Sequence, residues 1–195
     1  MKRDYLLELL ANIKNAKKEY RDNCAQKILA DDDLFSLLVS ETFNSNNKLS
    51  IRSAWILEWI CTHYGLEFIL LHLDEFTNKL ESLRLDGAMR SCAKICESLS
   101  KAYHNQNNDF IKQNINKNHL NKMVETCFEW IITPQTIAVK AYSINALYFL
   151  GFYVNWVHPE LEKTIRLNIN TESKAYKARG KKILYSLNKL NQQNK

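Results

Sequence analysis

Apolar and polar residues alternate along this chain with the period of an α-helix. In DYLLELLANI the apolar positions Tyr5, Leu6, Leu9, Leu10 and Ile13 recur at three and four residues, placing them on one helical face. The segments LFSLLVSETF, LEFILLHLDEFTNKL and HLNKMVETCFEWII repeat that pattern. Helix starts are legible as well. Asp31, Asp32 and Asp33 precede Leu34, Ser50 precedes IRSAWILEW, Asp86 precedes GAMRSCAKI, and Thr136 precedes IAVKAYSI. Pro134 and Pro159 stand where new helices are expected to begin. The polar clusters Asn44–Lys48 and His104–Asn118 read as loops, which leaves about ten helices.

A longer period runs above the helical one. Five times a bulky residue followed by Arg or Lys opens a helix, with a small residue and then an Ile close behind. The pairs are Tyr20-Arg21, Ile51-Arg52, Met89-Arg90, Val139-Lys140 and Tyr176-Lys177. The small residues are Ala25, Ala54, Ala93, Ala141 and Gly180. The basic residues are spaced 31, 38, 50 and 37 apart, and the polar stretch 104–117 accounts for the longest interval as an insertion. The implied unit is a helical hairpin of about 37 residues, spanning 3–30, 33–64, 66–103, 118–153 and 159–190. One amphipathic hairpin cannot bury its apolar face alone, whereas stacked neighbours share a continuous core.

On the segments YRDNCAQKIL, IRSAWILEWI, MRSCAKICES, VKAYSINALY and YKARGKKILY, the chain resembles the HEAT and armadillo-like α-solenoid families. In those families the second helix of each hairpin opens with an apolar–basic pair followed by a small residue. The resemblance implies an all-α, right-handed α-α superhelix of about five hairpins forming a single domain over 1–195, with the second helices lining a concave face. The pattern departs from the family in three ways: the small residue drifts in position, the usual proline of the first helix is missing, and the turn Asp is clear only at Asp86. The rival architecture is a closed helical bundle around one centre.

Composition agrees with helices joined by short turns. With 4 Gly and 2 Pro in 195 residues, the punctuation that β-sandwiches and barrels need is absent. No apolar run reaches the roughly 18 residues of a spanning helix, and no signal peptide is recognisable. The five cysteines, an odd number set among apolar residues, suit reduced thiols, so a cytoplasmic location without membrane association is expected.

Charge is segmented. The net +6 combines −5 over residues 31–80 with +7 over residues 161–195. Two groups of cations are therefore candidate binding residues for a protein or acidic peptide, with nucleic acid as the alternative. One is the ladder Arg21, Arg52, Arg90, Lys140 and Lys177, the other the C-terminal cluster Lys174, Arg179, Lys181 and Lys182. The competing role for the ladder is pairing with a carboxylate or turn carbonyl of the neighbouring hairpin. Trp55 and Trp59, one helical turn apart, are candidates to stack on a base or clamp a peptide, or else to fill the core.

Catalytic and metal signatures are missing. There is no GxxxxGK[ST], GxGxxG, HExxH or CxxC, so no cofactor, metal site or catalytic residue is assigned. Cys92 and Cys96 share a helix face but read as core. The DNA-alkylation-repeat glycosylases, also HEAT-like and basic, suggest the nucleic-acid alternative, yet no motif fixes a catalytic carboxylate here. The adenylosuccinate lyase loop SSxMPxKxNP does not occur. The expected function is a non-catalytic repeat scaffold that binds a partner.

Overall fold

In a computed structural model, residues 1–15, 17–105 and 109–193 are described, and among them there are α-helices and turns but no strand. The helices are α1 (Lys2–Ala11), α2 (Lys18–Leu29), α3 (Asp32–Thr42), α4 (Leu49–His63), α5 (Glu67–Leu70), α6 (Leu73–Lys79), α7 (Asp86–His104), α8 (Asp109–Asn114), α9 (Lys117–Ile132), α10 (Ile137–Leu150), α11 (Val157–Asn168) and α12 (Lys174–Gln193). A 3-10 turn over Leu80–Ser82 follows α6. No helix among the described residues is long and apolar enough to cross a membrane.

Local chemistry explains several boundaries. Asp31 caps α3 by accepting the Asp33 amide at 3.0 Å, and Asp32 and Asp33 lie in the first turn, where carboxylates oppose the helix dipole. Lys2 reaches from α1 to both Asp31 (2.8 Å) and Asp33 (2.6 Å). Asn116 caps α9 by accepting the His119 amide at 3.0 Å, and His119 Nδ1 accepts the Asn116 amide in return at 3.3 Å. That leaves His119 Nε2 to carry the proton it donates to Asp74 at 2.7 Å, tying α9 to α6.

Two expectations change. The segment LEFILLHLDEFTNKL is not one helix: the chain breaks at Leu71 and His72, where His72 leaves helical geometry (φ −117°, ψ 13°). The polar stretch 104–117 contains α8, held because Ile111 and, just beyond the helix, Ile115 are buried. Residues 106–108 of that stretch, and Ala16, Asn194 and Lys195, lie outside the described residues.

Packing follows chain order. α2, α4, α7, α10 and α12 contact one another in succession, as do α1, α3, α6 and α9. The small residues Ala25, Ala54 and Ala93 are fully buried where these helices meet. α7 lies in the middle of the first series, against α4 and α10, and buries Cys92, Ala93, Ile95, Cys96 and Leu99 completely. All five cysteines are free and buried. Burial pushes the Cys24 thiol up to about 11, and desolvation raises Cys61 and Cys92 further, so these are inert core groups rather than thiolate nucleophiles.

Candidate functional site

Each member of the cation ladder has a partner within the molecule, a carboxylate for Arg90 and Lys140 and an aromatic ring or backbone carbonyls for Arg21, Arg52 and Lys177. The Arg21 guanidinium lies 4.2 Å over the Trp59 ring. Arg52 donates to the carbonyls of Leu10 (3.0 Å) and Ala11 (2.8 Å), closing the C-terminal end of α1. Arg90 pairs with Glu58 at 2.9 Å, and the same carboxylate accepts from the Ser91 hydroxyl at 2.7 Å. Lys140, only 8% exposed, pairs with Glu172. Lys177 donates to the Asn170 carbonyl at 3.0 Å. Arg90 and Lys140 are neutralised in this way, while Arg21, Arg52 and Lys177 keep their charge.

The tryptophans divide. Trp59 is 6% exposed and sandwiched, with Arg21 at its ring and His63 stacked on it at 3.5 Å. Its indole N–H donates to Asp22, which also accepts the Tyr64 hydroxyl at 2.8 Å. These two bonds hold the Asp22 carboxyl below its usual range. Trp59 is thus a joint between α2 and α4. Trp55 remains half-buried on α4.

The C-terminal cluster is also split. Arg179 points inward to Asn145 at 3.3 Å, while Lys174, Lys181 and Lys182 are exposed on α12.

A hollow opens elsewhere, where α4, α7 and α10 meet. It measures about 680 Å³ and is lined by Cys61 and Thr62 of α4, Lys94, Ser98, Lys101, Ala102 and His104 of α7, Asn105, and Phe149 of α10. Lys94, Ser98 and Lys101 recur at four and three residues, so helical geometry delivers two ammonium groups and a hydroxyl to one face. Lys94 lies 4.9 Å over Tyr142 and pairs with Glu97 at 2.7 Å. Glu97 also accepts from Asn145, so its charge is shared rather than free. Lys101 is exposed and forms no ion pair among the described residues. Phe149 and Ala102 supply an apolar wall. His104 packs against Phe152 (4.3 Å) and Phe149 (5.5 Å), and burial, helped by Lys112 and His158, lowers its pKa so that it is neutral at pH 7.

The hollow therefore offers cationic and hydroxyl groups beside an apolar wall; the Thr62 hydroxyl lies 2.8 Å from His63 Nδ1 but donates to the Glu58 carbonyl at 2.7 Å. Among the described residues, no cluster of three or more metal-ligating side chains is present. None of the ladder residues lines it. Sequence reading passed over Lys94, Ser98 and Lys101; the available signal was the two lysines seven residues apart on one helix. No family model, no curated protein and no solved structure matches the chain.

Proposed function

We propose that this chain is a HEAT-like α-solenoid scaffold, a right-handed superhelix of five hairpins, that binds an acidic peptide segment of a partner protein in the hollow between α4, α7 and α10. Two observations support the architecture. The second helices α2, α4, α7, α10 and α12 contact one another in sequence order, and helices fall within each of the five hairpin spans. The observation that carries the function is the pairing of the unneutralised Lys101 with the Phe149 and Ala102 wall in one hollow. A carboxylate beside an apolar side chain matches that combination, since the ammonium attracts the charge and the wall removes apolar area from water.

Fluorescence anisotropy with a labelled peptide alternating Glu and Phe tests this reading. Binding is expected, with a loss of about tenfold for Lys101→Glu and little binding of the Gln-for-Glu peptide. Equal binding of both peptides, or no effect of Lys101→Glu, refutes it. The nucleic-acid alternative rests on the exposed lysines of α12, because Arg90 and Lys140 of the ladder are paired with carboxylates. The same titration with single-stranded and duplex oligonucleotides decides it: strong binding that falls steeply with salt favours nucleic acid.

A further inference from the structure

A second hollow, of about 320 Å³, lies on the opposite charge. Leu29, Phe35, Phe68 and Leu71 form its apolar surface, and Asp32 and Glu67 rim it. Leu71 is 89% exposed at the break between α5 and α6, which is unusual for a leucine beside other apolar side chains. Neither Asp32 nor Glu67 forms an ion pair among the described residues, and both are exposed.

The complementary surface is on α12. Tyr176, Ile183 and Leu187 face inward and are buried, which turns Tyr185 outward, where it is 70% exposed. On a helix its neighbours along the surface are Lys181, Lys182 and Lys189, at four and three residues before it and four after. All three lysines are exposed without an ion pair among the described residues. One surface is an apolar hollow edged by two carboxylates, and the other is an aromatic ring surrounded by three ammonium groups. Tyr185 cannot reach the hollow of its own chain: α12 packs on α10 and α11, whereas α2, α3 and α5 bound the hollow.

We infer that a second copy of this chain docks α12 on that hollow, with Tyr185 against Leu71 and Phe68, and Lys181 and Lys182 facing Asp32 and Glu67. The contact is heterologous, because the two surfaces differ, so copies join head to tail. It is independent of the peptide hollow between α4, α7 and α10. Its charged rim makes it weak at high ionic strength.

Sedimentation velocity of the full chain over a concentration series tests the inference. At low salt the average mass is expected to rise above 22.9 kDa with concentration. It is expected to return to the monomer in about 1 M salt, where the screening length is roughly 3 Å. Leu71→Asp and Tyr185→Ala each weaken association about tenfold or more. Mixed together, these two variants form a one-to-one dimer and nothing larger, since each retains one intact surface. Circular dichroism checks that both fold. If either variant is misfolded, the charge pair Lys181→Glu/Lys182→Glu replaces it, with rescue expected from Asp32→Lys/Glu67→Lys. A monomer at every concentration overturns the inference, as do variants that associate like the parent and a mixture of single-surface variants that stays monomeric.

Discussion

Replacing Gly151 by Ala gives the sharpest test of the packing between α10 and α11. Gly151 ends α10 in ordinary helical geometry (φ −63°, ψ −14°), so its backbone accepts alanine without strain. On backbone entropy alone, alanine there stabilises the fold by about 0.4–1 kcal/mol. The space denies it. A Cβ at this position would stand 2.0 Å from His158 Cδ2 and 2.4 Å from Nε2. The imidazole must move, and it donates through Nε2 to the Tyr148 carbonyl at 2.8 Å while packing edge-on to Phe152. Losing that bond costs about 1 kcal/mol and overpacking about 1–3 kcal/mol. The net expectation for Gly151→Ala is a destabilisation of about 2 kcal/mol, or a fall in Tm of about 4–8 °C for a chain of this size. The diagnostic result is a change of sign. In a His158→Ala background the obstruction is gone, and Gly151→Ala becomes neutral or stabilising by up to about 1 kcal/mol. Urea denaturation of the four proteins of this cycle measures both values. A Gly151→Ala protein as stable as the parent, or a loss that persists unchanged without His158, refutes the reasoning.

Three further outcomes follow from the polar joints. Glu58→Ala strands the fully buried Ser91 hydroxyl and is expected to lower the urea-derived stability by about 1–3 kcal/mol, whereas Arg90→Ala, whose side chain is 40% exposed, costs under about 1 kcal/mol. The lowered pKa of Asp22 means that its bonds to Trp59 and Tyr64 add stability above the ordinary aspartate range and lose it as pH falls from about 4 through the depressed value. Asp22→Asn removes that part of the acid transition, which tryptophan fluorescence follows. Finally, the five buried thiols are expected to resist a disulfide reagent at pH 8 in the native protein and to react together in denaturant; stoichiometric labelling of the native chain contradicts the packing described for them.

Helical character, several helix starts and the buried Ala25, Ala54 and Ala93 were legible because they depend on near neighbours, whereas Ser50 lies inside α4 and its hydroxyl caps nothing. Asp31 and Asp86 mark the openings of α3 and α7 through local capping and dipole effects. The break at Leu71 was not legible. Phe68, Ile69, Leu70 and Leu71 are apolar without interruption, and no glycine, proline or cap residue announces the turn. α8 was hidden by its Asn- and Gln-rich flanks, since a helix of six residues shows only Phe110 and Ile111 as apolar signal. The destinations of the cations were out of reach for a different reason. Arg52 meets Leu10, Arg90 meets Glu58 and Lys140 meets Glu172, all more than 30 residues apart, so their partners depend on how helices stack. For the hollow between α4, α7 and α10, residue types were visible but convergence was not, because it is a product of three helices far apart in the chain.

The side-chain amide of Asn145 accepts from Arg179 of α12 through its oxygen and donates to Glu97 of α7 through its nitrogen. Only one orientation of that amide serves both neighbours. Together with Glu58–Arg90 and Asp22–Trp59, it links α2, α4, α7, α10 and α12 in succession, with α7 in the middle and α12 at the end of the series. A series linked in this order is expected to open from its ends. Amide exchange with deuterium should be slowest in α7, quicken through α10, and be fastest in α12, whose release requires the breaking of few links. If α12 is also the segment that joins one copy to the next, assembly would slow the very opening to which the isolated chain is most prone.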